Sequence, residues 1–276
     1  MPKSGRFPSG SLNLHYVEWG QPGATAVVAL HGLRAYGWWF AEFGEAAQQD
    51  FRVLALDQRG RGMSDWAPDG RYSTDAYVAD LEQFREHLGL DRMILLGHSM
   101  GGTNVVNYAA RYPQHVQALV IVDSAPELDI AGLSRIRQEL ARTPALFESR
   151  AVAREFLRSL HGRASEGNLD TRVTWMLREA DGGRLVWRID SAIFDPKMTP
   201  DPPERMWTAL RQVACPTLIV RGGLSDLITS DVVERMLAAL KHGRAVDVPD
   251  AGHMVVEDNP DGFNAVVLPF LKSVSA

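Results

Sequence analysis

The chain has 276 residues, 45% of them hydrophobic and 23% charged, with a formal net charge of −5. This is the composition of an ordinary globular protein large enough to bury its own core, and the acidic balance gives no electrostatic reason to expect nucleic acid or an anionic membrane as partner. A single cysteine, Cys215, excludes an intrachain disulfide and a thiolate metal cluster.

The opening MPKSGRFPSG lacks the apolar centre of a signal peptide, and no apolar run approaches the ~18 residues of a membrane span. A soluble, cytoplasmic protein acting on a small molecule is expected. In chain order, Ser11–Trp19 alternates like a hairpin strand at a sheet edge. The runs Ala26–Leu30, Arg52–Ala55, Met93–Leu96 and Ala118–Val122 are strand-length and β-branched-rich. Helical patterns over Ser73–Leu88 and Met100–Arg111 lie between them, the second stopped by Pro113. From about Pro126 to Trp207 the rhythm changes to helices (Leu133–Ala141, Pro144–Leu160, Leu169–Glu179) with no clear strand, ending in the Pro-rich turn Thr199–Pro203. Thr217–Val220 and Ala245–Val248 resume the strands, and a helical tail starts at Pro260.

Strands alternating with helices predict an α/β fold with a mostly parallel central sheet flanked by helices. The reading is one domain: a core of residues 1–125 and 208–276, with 126–207 inserted as a helical cap before the last strands. Open α/β sheets bind ligands at the C-terminal edge of their strands, which the cap would roof.

Three segments at that edge carry chemistry. Gly97-His98-Ser99-Met100-Gly101-Gly102 joins a strand to a helix. A G-x-S-x-G there forces a strained turn that lifts the serine hydroxyl out of the sheet at a helix N-terminus, where the Met100 amide can donate to an oxyanion. His31-Gly32-Leu33 follows the earlier strand and offers the Leu33 amide as a second donor, with His31 as scaffold. Pro249-Asp250-Ala251-Gly252-His253 places a histidine in a late, glycine-flanked loop, where a serine nucleophile would find its base. His98 is expected to point away from the site. The acid is open between Asp123, at the end of Ala118–Val122, and Asp226, after Thr217–Val220, because both loops reach the same edge.

The segments HGL (31–33), LDQRGRGMSD (56–65), GHSMGG (97–102) and PDAGH (249–253) together resemble the α/β-hydrolase superfamily, and within it a bacterial subgroup of capped serine hydrolases. The resemblance implies that Asp57, Arg59 and Gly60 build a structural turn. In many members the acid lies three residues after a glycine on the later strand. Counted from Gly222 that place holds Ser225, and counted from Gly223 it holds Asp226. Some members of the similar subgroup use the earlier aspartate, which favours Asp123 with Asp226 as the alternative.

The leading expectation is hydrolysis of a carboxylic ester or similar acyl bond through Ser99, His253 and an aspartate, without cofactor or metal. No H-E-x-x-H or Walker-type loop is present. Similar capped enzymes cleave the carbon–carbon bond of a vinylogous diketone with the same three residue types, and cofactor-free haloperoxidases form a weaker third possibility. From another class, some members of this superfamily are slow small-molecule receptors. Serine at position 99 argues against epoxide hydrolases and haloalkane dehalogenases, which resemble this fold but use an aspartate nucleophile. Arg34, Trp38, Trp39 and Trp187 are candidate pocket residues, with Arg34 suited to a substrate carboxylate.

Overall fold

The computed structural model describes residues 2–195 and 201–275. Residues 199 and 200 of the expected Pro-rich turn lie outside them. The chain opens on a hairpin, β1 (Lys3–Ser9) and β2 (Leu12–Trp19), followed by β3 (Thr25–Leu30), α1 (Ala41–Ala47) and β4 (Phe51–Leu56). Next come α2 (Thr74–His87), β5 (Met93–His98), α3 (Met100–Arg111) and β6 (Val116–Val122). The inserted block holds α4 (Ile130–Arg142), β7 (Leu146–Phe147), α5 (Arg150–Leu160), α6 (Glu166–Met176), β8 (Leu177–Glu179) and β9 (Leu185–Trp187). The chain then continues through α7 (Pro203–Gln212), β10 (Thr217–Gly222), α8 (Ser230–Ala239), β11 (Gly243–Val248), α9 (Val255–Asp258) and α10 (Pro260–Ser275).

The central sheet has eight strands in the order β1-β2-β4-β3-β5-β6-β10-β11. The pairs β1·β2 and β2·β4 are antiparallel, and every other neighbouring pair is parallel. β5, with every residue buried, is central, because a parallel strand covered on both faces must be apolar on both. Helices on the two faces close two large apolar clusters, one around Phe84, Val105 and Met236 and the other around Phe43, Leu96 and Phe263. Among the described residues no helix is long and apolar enough to cross a membrane.

Three expectations change. Ser11–Trp19 is not the edge strand: β1 lies outside it, with Pro8 at an edge where a missing N–H is tolerated. The inserted block is not purely helical, since β7, β9 and β8 form a small antiparallel sheet. Strands of two and three residues are too short to show a period, so they read as helix continuations. Serine caps set where the neighbouring helices begin: Ser149 Oγ accepts from the Val152 amide and starts α5 later than expected, and Ser165 Oγ accepts from the Asn168 amide and starts α6 earlier. Finally, the boundary drawn at 207/208 falls inside α7, a continuous helix lying along α3, where Arg205 donates to Asn107 Oδ1 at 3.2 Å.

Candidate active site

The turn between β5 and α3 puts Ser99 at φ 52°, ψ −122°. Only three non-glycine residues among those described have positive φ: Ser99, Asp123 and Asp250. Such conformations cost on the order of 1–3 kcal/mol each. Here they fall on the loops after β5, β6 and β11, all at one edge of the sheet. The glycines of the turn are dictated by proximity. A Cβ on Gly97 would lie 2.4 Å from the Gly101 carbonyl oxygen, and one on Gly101 would lie 2.2 Å from that of Leu30.

The two candidate acids separate cleanly. Asp123 Oδ2 accepts from His253 Nδ1 at 2.7 Å and from Ser225 Oγ at 2.7 Å, while Oδ1 accepts from the Gly222 amide at 3.0 Å. Its carboxylate is fully buried, so these three donors replace water. Asp226 faces the inserted block instead, where Arg135 of α4 grips it at 2.7 and 2.8 Å. The Arg135 hydrogen bonds hold the Asp226 carboxyl below the usual carboxylate range. Ser225, at one of the two positions where the family resemblance would put an acid, instead donates to Asp123, the candidate acid of the neighbouring loop.

His98 does not point away. Its Nε2 donates to the His253 carbonyl oxygen at 2.8 Å, and the two rings lie 4.7 Å apart. Burial and the neighbouring His253 hold His98 neutral, well below its ordinary pKa. His31 is also neutral: burial lowers it to about 4, its Nδ1 donates to the Gly32 carbonyl oxygen, and its Nε2 accepts from the Gln58 amide.

The Leu33 and Met100 amides have no protein acceptor among the described residues. Behind them lies Arg61, fully buried, with no carboxylate within ion-pair distance among the described residues. Its guanidinium donates to the Leu33 carbonyl oxygen at 3.1 Å, to Met100 Sδ at 3.3 Å, to the Arg59 carbonyl oxygen and to the Tyr77 hydroxyl. One side chain thus braces both amide-bearing segments. Within the same loop Asp57 bonds His15 and the Gly37 and Met63 amides, and Arg59 pairs with Asp80.

Ser99 and His253 line one cavity of about 970 Å³ between the sheet edge and the inserted block. Ser99 Oγ makes no hydrogen bond among the described residues. Arg34 and Trp187 also line the cavity, the indole of Trp187 held by the Pro144 carbonyl oxygen at 2.7 Å. Trp38 and Trp39 do not line it. Trp38 stacks on Trp175 at 4.9 Å, and Trp39 lies against His98 with its Nε1 directed at Glu257. Both rings are amphipathic and follow a loop, which made them readable as pocket walls, but they pack beneath it.

Two cavity residues carried no signal in the sequence. Arg172 of α6 forms a buried bidentate pair with Glu257 of α9, at 2.7 Å through Nε and with a second contact through Nη2. Burial lowers the Arg172 pKa, but Glu257 more than offsets this and the net shift is upward. His161, at the end of α5, faces the cavity with no hydrogen bond to its ring among the described residues. The partner of Arg172 lies 85 residues away and the surroundings of His161 come from other elements, so no local spacing announces either.

Among the described residues no three His, Cys, Asp or Glu side chains are grouped so as to hold a metal ion. A strained serine at a strand-to-helix turn, an Asp–His pair at the same edge and free amides beside them constitute the geometry that comparison with known proteins meets. A family model described as alpha/beta hydrolase fold matches residues 25–260. The chain belongs to that family. This α/β-hydrolase is 29% identical over 260 residues to a 3-hydroxybutyrate-oligomer hydrolase of Cupriavidus necator, an alignment covering 89% of this chain and 88% of the relative. It is 28% identical over 274 residues to a 2-hydroxy-6-oxononadienedioate/2-hydroxy-6-oxononatrienedioate hydrolase of Klebsiella pneumoniae, covering 95% and 91%. Among solved structures, an E-2-(acetamidomethylene)succinate hydrolase superposes with a TM-score of 0.88 at 26% identity, covering 99% of this chain and 100% of that one. These three relatives of this α/β-hydrolase are hydrolases whose named substrates differ.

Proposed function

We propose that the protein hydrolyses a carboxylic ester, or a chemically similar acyl bond, of a small molecule through an acyl-enzyme on Ser99. The single observation that carries this reading is the bond from His253 Nδ1 to the buried Asp123 carboxylate, formed beside a serine held at positive φ. With Nδ1 donating to Asp123, the opposite nitrogen Nε2 is left as the base. His253 takes the Ser99 proton as Oγ attacks the carbonyl carbon, and the Ser99–His253 hydrogen bond this requires forms when substrate binds. The negative charge moves to the carbonyl oxygen, where the Leu33 and Met100 amides receive it. The imidazolium returns its proton to the leaving group. Water, deprotonated by the same histidine, then releases the acid and restores Ser99.

The named substrate of the Cupriavidus relative, an oligomer of a hydroxy acid, is joined by esters and supports this bond class. The Klebsiella relative's named substrate supports a second reading, hydrolysis of a carbon–carbon bond next to a ketone with the same residues. The test is turnover of a short-chain p-nitrophenyl ester and of a vinylogous diketone by wild type, Ser99→Ala, Asp123→Asn and Asp226→Asn. Ser99→Ala and Asp123→Asn are expected to lose about three to four orders of magnitude in turnover, with Asp226→Asn staying within a few-fold of wild type. Ester turnover that survives in Ser99→Ala would remove the nucleophile. Diketone turnover without ester turnover would select the second reading.

A further inference from the structure

Five arginines line the cavity: Arg34, Arg135, Arg163, Arg172 and Arg205. Three are already neutralised at close range, Arg135 by Asp226 and Glu139, Arg172 by Glu257, and Arg205 by Asp75 and Asp201. Arg163 is exposed. Arg34 differs from all of them. Its side chain is 18% exposed, its one close contact is the neutral Thr143 hydroxyl at 2.8 Å, and its nearest carboxylate, Glu139, stands 3.8 Å away. That carboxylate is held more tightly by Arg135 at 2.7 Å. Partners raise the pKa of the three neutralised arginines, whereas burial, with the nearby charge of Arg172, outweighs Glu139 and lowers that of Arg34. A desolvated guanidinium with unused N–H groups, and only a long contact to a carboxylate it shares with Arg135, pays for its burial with little of the compensation that buried cations require.

His161 lies close enough to Arg34, Arg135 and Arg172 for their charges to act on it, and these charges, after burial, hold its ring neutral. A neutral imidazole in that setting still has one N–H to donate, and its ring has no protein partner among the described residues. Both groups face the cavity that Ser99 opens into, and Arg34 directly follows Leu33 in the chain.

We infer that Arg34 and His161 form a subsite for a carboxylate of the substrate, so that the preferred substrates are acidic esters or acyl compounds carrying a free carboxylate a few bonds from the scissile carbonyl. The inference rests on the Ser99 reading only for the word substrate. The planar fork of the guanidinium suits two carboxylate oxygens, and the His161 N–H adds a third donor. Desolvation on both sides makes the contact selective, because an uncharged ester would leave Arg34 with no anion nearer than Glu139.

The test measures binding to Ser99→Ala by calorimetry, so that it does not depend on turnover. Two matched pairs are used: monomethyl against dimethyl glutarate, with the carboxylate on the acyl side, and acetoxyacetate against its methyl ester, with the carboxylate on the alcohol side. In at least one pair the charged member is expected to bind about tenfold to a hundredfold more tightly. That gap closes in Ser99→Ala/Arg34→Gln, narrows in Ser99→Ala/His161→Phe and survives in part with Arg34→Lys. If Arg34 is only a strut between the loop and α4, Arg34→Gln weakens charged and neutral members alike, and the subsite is wrong. It is also wrong if neither pair favours the charged member. Wild type that binds the charged ester tightly yet hydrolyses neither would overturn the acyl-enzyme reading and leave the subsite standing.

Discussion

At the scale of single residues, Arg61 best separates scaffold from chemistry. The family resemblance gave this loop a structural role, and the contacts of Asp57 and Arg59 agree with one. Arg61 bonds the carbonyl of Leu33 and the sulfur of Met100, the two residues whose amides would hold the oxyanion. Misplacing a reacting group by about 1 Å can lower a rate by about a hundredfold. Arg61→Met, which keeps length and apolar bulk, is therefore expected to lower kcat about a hundredfold for a p-nitrophenyl ester with KM within a few-fold. A loss of thermal stability with kcat unchanged would make Arg61 mere filling. The same scale explains why the acid was undecidable from sequence. Asp123 and Asp226 follow adjacent strands of the sheet, and what parts them is Arg135, 91 residues away from Asp226 along the chain. The one local hint was Ser225, a short hydroxyl at one of the two places where the family resemblance would put a carboxylate.

At the scale of elements, legibility follows how tightly the backbone constrains residue choice. The turn after β5 was readable because Gly97 and Gly101 stand where any side chain would strike a carbonyl oxygen. Gly101→Ala is expected to destabilise the protein by about 3 kcal/mol, read as a lower urea midpoint. Gly162→Ala is the control: its Cβ would meet nothing within 4 Å, so its midpoint should stay within about 0.5 kcal/mol of wild type. Equal midpoints for the two variants would contradict the packing described for the turn. The core strands were readable because buried parallel strands are continuous apolar runs, and the structure extends most of them by one or two residues at an end. The small sheet of β7, β9 and β8 was not, since no period fits inside two or three residues. The tryptophans after the first loop misled for a related reason: an aromatic pattern says that a surface is covered, not which face covers it.

At the scale of the molecule, three imidazoles are held neutral, His31 at about 4 and His98 and His161 well below their ordinary value. Below about pH 6.5 the unfolded chain takes up protons that the folded one refuses, so stability falls as the pH drops towards the folded values. His31 alone accounts for about 2 kcal/mol between neutral pH and pH 5. Carboxylates held down by arginine, such as Asp75, Asp226 and Asp247, lose their contribution only lower, below the ordinary carboxylate range near 4. The midpoint of thermal unfolding is therefore expected to fall by about 5 °C or more between pH 7.5 and pH 5. A flat profile across that window would mean that these rings gain protons in the folded state.

The ties of the inserted block to the core are unequal. On the α6 side the Arg172–Glu257 pair is sealed from water, and removing one partner would cost about 3–5 kcal/mol. On the α4 side Arg135 and Asp226 are each 41% exposed, in a class of contact worth about 0–1 kcal/mol that salt weakens further. The block is thus fastened like a door, with its hinge at α6 beside the His253 loop and its latch at α4. If the block opens, its α4 edge is expected to part first, and more readily at high ionic strength, while the Arg172–Glu257 pair stays closed beside the His253 loop.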